Sequence, residues 1–431
     1  MVEAMEIQRG FKKTDVGIIS DEWIVDTLGN VITVLTDFPA NGSFASLAQK
    51  VKYLDKPDYA RLIRLTDIRA NFKNDGIYIS KDAYEFLSKS KLYGEELLLA
   101  NVGAYAGYSF AYPEGLPFKG SLGPNMFLIK FNEKIITAKY AFYTFSFDII
   151  LQQLLSKAAS SAQPKLNKQN VRECLVCFPP TKAEQTAIAT ALNDADALIT
   201  QLEKLIAKKR AIKQGAMQEL LKPKEGCEVE KLPELIWFQE GPGVRKSQFR
   251  TSGVKLLNGT NIEKGKLLLD KTDRFISEHE AYGWYSHFLV DDGDILIACS
   301  GISVDKFDEK VTEASSIHLP LCMNTSTMRF KVISKRITKS FFFHFLKSYS
   351  FKQQIGEQIT GSAQLNFGPA HVKWVDINFP SPTEQDEIAQ ILSDMDSEID
   401  ALEKKLDKYK MLKQGMMQNL LTGKIRLMVN C

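Results

Sequence analysis

Residues 181–221 read TKAEQTAIATALNDADALITQLEKLIAKKRAIKQGAMQELL, and residues 383–421 read TEQDEIAQILSDMDSEIDALEKKLDKYKMLKQGMMQNLL. An offset of 200 superposes Glu384-Gln385 on Glu184-Gln185, Asp394 and Asp396 on Asp194 and Asp196, and Lys413-Gln414-Gly415 on Lys213-Gln214-Gly215. One ancestral unit has been copied. A chain that repeats a domain and a long helix presents two similar surfaces, which suits a two-part, roughly symmetric target.

Both segments carry a four-three spacing of apolar residues. The first runs Ile188, Leu192, Ala195, Ile199, Leu202, Ile206, Lys209, Lys213, Ala216, Leu220, and the second Ile388, Leu392, Met395, Ile399, Leu402, Leu406, Tyr409, Lys413, Met416, Leu420. This is a coiled-coil seam. Each helix follows a proline-containing strand end, with Thr181 and Thr383 expected as N-caps. Some 40 residues at 1.5 Å each make a rod of roughly 60 Å. Acids crowd both N-terminal halves and bases both C-terminal halves, so a parallel pair would oppose like charges and an antiparallel pair opposite ones. An antiparallel, intramolecular pair is expected; helices that mediate homodimerisation are the alternative.

The globular parts repeat as well. Each has a strand ending in a turn (Arg64-Leu65-Thr66-Asp67-Ile68; Asn258-Gly259-Thr260-Asn261-Ile262) and then a strand after an acidic turn (residues 95–102; 294–300). Next come a further strand (126–131; 328–333), an aromatic helix (138–155; 339–354) and a Ser-Ala-Gln loop (161–163; 362–364). Phe142 and Phe145 match Phe342 and Phe345 at the 200-residue offset, which marks the aromatic helix as core. Elsewhere the two parts differ, as two modules selecting different targets would.

Length and composition set the frame. The 431 residues correspond to about three domains, and 44% hydrophobic with 25% charged is ordinary globular material. The N-terminus has acids before any apolar run, which argues against a signal peptide, and residues 97–112 are interrupted by Asn101, Gly103 and Gly107. A soluble, cytoplasmic protein is expected, with no membrane partner. Cys174 and Cys177 form a single CxxC without a second pair, and the five histidines lack metal-ligand spacing. No metal site and no cofactor are expected. The first long segment nets +1 and the second −4, leaving +6 for the rest, a mild basic bias that permits DNA contact.

Catalytic signatures are missing. Gly259 to Leu267 has five residues between its glycines and Leu where a phosphate loop needs Ser or Thr. No Asn/Asp-Pro-Pro-Tyr/Phe stretch of an aminomethyltransferase occurs, and Pro57-Asp58 lacks a nuclease's following carboxylate-x-lysine. Asp291-Asp292 with Asp294 reads as an exposed turn.

These features together resemble the specificity subunits of type I restriction-modification systems. The resemblance spans nearly the whole chain and is specific at GFKKTDVGIISDEW (10–23), EGPGVRKSQF (240–249), FPPTKAEQTAIA (178–189), FPSPTEQDEIA (379–389), KQGAMQELL (213–221) and KQGMMQNLLTGKIRL (413–427). It implies an α+β fold with two similar target-recognition domains joined by two long antiparallel coiled-coil helices, an internal pseudo-twofold repeat. The expected division is 1–180 for the first recognition domain, 181–221 for the first helix, 222–382 for the second recognition domain and 383–431 for the second helix and tail. The implied function is reading a bipartite double-stranded DNA site, one domain per half-site, while two modification subunits dock on the helices and restriction subunits join. The chain itself is then not an enzyme; the holoenzyme it resembles is a DNA adenine methyltransferase and ATP-dependent endonuclease. The alternative is a coiled-coil scaffold that binds proteins without reading DNA.

Candidate contacts follow physical type, because Arg and Lys grip phosphates and Arg, Asn and Gln bond base edges. For DNA they are Arg61, Arg64, Asp67, Gln163, Lys165 and Asn167 in the first part, and Arg245, Lys246, Arg250, Lys255, Asn258, Asn261, Gln364 and Asn366 in the second. The first part lacks the Gly-Pro-Gly-Val-Arg segment, so its contacts cannot be transferred from the second. For partner docking they are the repeated Glu184, Gln185, Gln214, Gly215, Glu384, Gln385, Gln414 and Gly415.

Overall fold

The computed structural model describes residues 9–94, 96–158, 164–303, 306–358 and 364–427. Gln163 and all but the last residue of the Ser-Ala-Gln loops lie outside them. Contacts gather the chain into two units, residues 1–202 with 405–431, and residues 203–404. Each unit takes part of both long helices.

In the first unit one sheet runs Ile32–Asp37, Met126–Phe131, Leu97–Ala100, Ser109–Ala111, antiparallel throughout. A second sheet runs Ile77–Ile79, Ala60–Ile63, Lys119–Leu122, Lys91–Leu92, and its central pair is parallel. The runs LLLA and MFLI do not alternate in polarity because these strands are buried on both faces. Leu175–Phe178 pairs with Ile24–Thr27 and leads into the first long helix.

The second unit repeats this plan. Its antiparallel sheet runs Ile236–Glu240, Thr327–Val332, Ile295–Ala298, Val311–Glu313. Its second sheet again holds a parallel pair, Val254–Leu257 with Leu321–Met323, and Asp376–Phe379 pairs with Glu228–Lys231 before the second long helix.

The aromatic helix is two helices in each unit, Ala138–Phe145 then Asp148–Ala158, and Lys339–Leu346 then Tyr349–Glu357. In the second unit the break is written in Ser348, whose hydroxyl accepts from Phe351 N and starts a new helix. The helix caps are Thr137 and Thr338, so the equivalence here is an offset of 201, not 200. Tyr140 and Phe341, both nearly inaccessible, are thus the true counterparts, and Phe142 corresponds to Phe343.

The long helices are Lys182–Leu220 and Pro382–Leu420, 39 residues each. Every position of both four-three seams is buried or half-buried. Within the first unit Lys413 meets Asp196 at 2.6 Å, and within the second Lys213 meets Asp396 at 2.5 Å, so the helices run antiparallel in each, as their charge pattern requires. Thr181 caps the first, its Oγ1 3.3 Å from Glu184 N. The second is capped not by Thr383 but by Ser381, two residues earlier and 200 residues from Thr181, because Pro382 occupies the first helical position, where its missing N–H costs nothing.

Candidate nucleic-acid interface

The candidates around residue 64 form a buried network. Asp67, fully inaccessible, accepts from Arg61 Nη2 at 2.9 Å, Arg64 Nε at 2.9 Å, Asn74 Nδ2 at 2.9 Å and the Arg64 backbone N–H at 2.8 Å. Burial alone would raise the Asp67 pKa, but the bonds from Arg64, Arg61 and Asn74 outweigh it and hold the carboxyl at about 2. Arg61 is 3% exposed and also donates to the carbonyls of Phe72 and Asn74. Only Arg64 reaches the surface. The second unit builds the same turn without charge: Asn261, 2% exposed, accepts from Asn258 N at 2.9 Å. Arg61, Asp67 and Asn261 therefore direct their polar groups inward, into the turn that follows the parallel strand.

The remaining candidates are more open. In the first unit Lys165 is exposed beside Val102, and Asn167 caps the helix Lys168–Arg172 by accepting from Asn170 N. In the second, Arg245 and Lys246 are exposed, while Arg250 donates to the Ser247 and Phe249 carbonyls and Lys255 to Leu269 O. Gln364 and Asn366 are exposed, with Asn366 Oδ1 accepting from Ser300 Oγ and Gly301 N. Asn258, Thr260, Thr272, Arg274, Ser300 and Ser326 line one polar hollow of about 320 Å³. The EGPGVR stretch has a steric reason at its first glycine: a Cβ on Gly241 would lie 2.3 Å from Asn324 O.

The acidic turns are structural. Glu96, 3% exposed, accepts from Tyr93 N and Gly94 N and pairs with Lys130 at 3.2 Å. Asp294, 2% exposed, accepts from Asp291 N and pairs with Arg329 at 3.2 Å. The expectation of an exposed 291–294 turn fails at Asp294, because a carboxylate is the acceptor this tight turn needs beneath it. Cys174 and Cys177 are buried thiols, pushed up by burial to about 11 and about 12.

Of the eight residues expected on docking faces, three are interior, Glu184, Gln185 and Gln385. Gln185 is fully buried: Oε1 accepts from Thr137 N at 2.8 Å and Nε2 donates to the Ile135 and Pro179 carbonyls. Gln385 repeats this on Thr338 N, Arg336 O and Pro380 O. Glu184, 3% exposed, is gripped by Arg426 at 2.6 Å, whereas Glu384 meets Lys224 at 3.1 Å and stays accessible. Gln214, Gly215 and Gln414 are exposed and Gly415 is half-buried; a Cβ on either glycine would touch nothing within 4 Å. Ile212 and Leu412, at matching positions three residues before them, are 47% and 53% exposed. No helix among the described residues is long and apolar enough to cross a membrane.

Comparison with known proteins agrees with this repeat. The model of the type I restriction modification DNA specificity domain matches twice, at residues 21–214 and 224–410. The chain is similar to the type I restriction enzyme MjaVIII specificity subunit of Methanocaldococcus jannaschii, at 28% identity over 77% of this chain and 79% of the relative. It is also similar to the putative type I restriction enzyme MjaX specificity subunit of the same organism, 25% identical over 97% of each. Its fold resembles the crystal structure of a type I restriction-modification S subunit from M. genitalium, with a TM-score of 0.57 and 14% identity, covering 96% of this chain and 98% of that one.

Proposed function

Because the chain belongs to the family of type I restriction-modification DNA specificity domains, we propose that it is the DNA-reading subunit of a type I methyltransferase and restriction assembly. One globular domain, within residues 1–180, reads one half-site, and the other, within 222–382, reads the second. The observation that carries this reading is the pairing of a shared frame with different surfaces. The turn after the parallel strand is held by Asp67 in one unit and Asn261 in the other, while the exposed residues around it differ, as two readers of different sequences require.

Docking of two modification subunits falls to the helices. The repeated open glycines, Gly215 and Gly415, sit beside exposed Ile212 and Leu412, Gln214 and Gln414. A helix-interior glycine costs about 1 kcal/mol relative to alanine, which is offset where a partner needs close approach. Restriction subunits join that core, and methyl transfer and ATP-dependent cleavage belong to those partners.

Methylome sequencing of a host with and without the gene tests the reading. The expected result is one bipartite adenine-methylated motif that disappears on deletion; an unchanged methylome in a host whose modification subunit is active would overturn it.

A further inference from the structure

In each unit one exposed arginine lies over an aromatic ring with its hydrogen-bonding fork unused. The Arg69 guanidinium lies 4.4 Å from the Tyr105 ring centroid, and that of Arg274 lies 5.3 Å from the Phe249 centroid. Among the described residues neither guanidinium makes a hydrogen bond or an ion pair, and both side chains are exposed. Other arginines nearby are committed: Arg61 and Arg64 to Asp67, Arg250 to carbonyls and Arg329 to Asp294.

The two arginines sit on different elements of the repeat, each beside the turn that follows the parallel strand. In the first unit Arg69 ends the short helix Leu65–Arg69 after the parallel strand, and Tyr105 lies in the loop after strand Leu97–Ala100. Lys165, exposed, joins that loop through its bridge to Val102. In the second unit Arg274 lines the polar hollow with Asn258 and Thr260, from the turn after the parallel strand, and Ser300, from the loop after strand Ile295–Ala298.

The frame around Arg69 is built at a cost. Asn71 and Phe72 both hold positive φ, 48° and 58°, a strained region for non-glycine residues. The strain is sustained from beneath: Arg61 donates to Phe72 O, Phe72 N donates to Asp67 O, and the Phe72 ring packs on Tyr112 and Phe118. The buried ion-pair network thus fixes the end of the helix that carries Arg69. A planar donor fork exposed to solvent matches the O6 and N7 acceptors of guanine in the major groove, and the contact with the ring lowers the entropy lost on binding.

We propose that Arg69, positioned by Tyr105, and Arg274, positioned by Phe249, each read a guanine, one in each half-site. This rests on the DNA-reading function above and adds the residues and the base.

The test uses the full chain assembled with its modification subunits. The motif methylated by wild type, Arg69→Ala, Arg274→Ala and the double variant is determined by methylome sequencing, and binding to duplexes of the wild-type motif is measured against salt. Arg69→Ala is expected to relax one G·C position of one half-site on the order of tenfold or more, and Arg274→Ala one G·C position of the other. Tyr105→Leu and Phe249→Leu should each weaken the same position as their arginine partner while leaving the fork in place. Both arginines are exposed, so folding is checked by unchanged circular dichroism. Unchanged base preference in both arginine variants, or relaxation of the same half-site by both, overturns the proposal. Uniformly weaker binding with a shallower salt slope and an intact motif also overturns it, since that marks phosphate contacts. Absence of any bipartite motif from the wild-type assembly would instead defeat the underlying function.

Discussion

Lys413 Nζ lies 2.6 Å from Asp196 Oδ1, and 200 residues apart in the opposite sense Lys213 Nζ lies 2.5 Å from Asp396 Oδ1. The same two helix positions thus recognise each other twice, each time inside one unit. In the first unit the Tyr143 hydroxyl also donates to Asp196, at 3.1 Å. Both partners are partly exposed, so the pair carries register more than stability. Asp196→Lys is expected to cost about 1 kcal/mol, and Lys413→Asp in the same chain to restore a good part of it. Urea unfolding of the two single variants and the double variant measures the coupling; strictly additive losses would show that the pair does not interact.

Gln185 matters more. Its removal strands one N–H and two carbonyls in a buried corner, and each unsatisfied group costs about 1–3 kcal/mol. Gln185→Ala, and likewise Gln385→Ala, should lose about 3 kcal/mol or more, with subunit docking lost only in proportion to unfolding. A variant of full stability that no longer binds modification subunits would place these glutamines on the docking face after all.

The Asp67 carboxyl, held at about 2 in the fold, contributes stability above its ordinary pKa near 4. Below that the unfolded chain takes up the proton first, so the contribution drains away as pH falls from about 4 to 2. Its size is on the order of 2 kcal/mol. Asp67→Asn, which imitates Asn261, should lower stability at pH 7 and flatten the acid limb; equal pH slopes for variant and wild type would contradict the network's role.

Gly215 and Gly415 give a separation of stability from docking. Alanine at either should add about 0.5–1 kcal/mol to stability, since a Cβ meets open space. Tryptophan at both should leave the chain folded and abolish complex formation with modification subunits in native mass spectrometry, where the unaltered chain is expected to hold two. A stable complex with Gly215→Trp/Gly415→Trp would move the docking face elsewhere.

Modularity predicts the outcome of an exchange. Replacing residues 1–155 by the corresponding part of a relative should change one half-site and leave the other, read out by methylome sequencing. A simultaneous change in both would show that the domains do not read independently.

The sequence by itself determined the duplication, the long helices, their seam and their antiparallel sense, because these depend on local periodicity and charge order, both written in consecutive residues. It also marked residues whose reason lies far away. Gly423 in the TGKIR stretch has φ +70°, and a Cβ there would sit 2.9 Å from Trp23 of the DEW stretch; the two were legible as motifs, but not as neighbours. The tertiary structure alone decided which polar residues are spent inside. Arg61, Asp67, Gln185 and Asp294 carry the same chemistry as surface contacts, and only the folded turns and their burial show that their partners are backbone groups and each other. Arg69 and Arg274 are not legible in the sequence, for the converse reason. Their significance is an open fork beside a distant ring, and exposure and ring distance are properties of a folded chain that residue type and spacing do not encode.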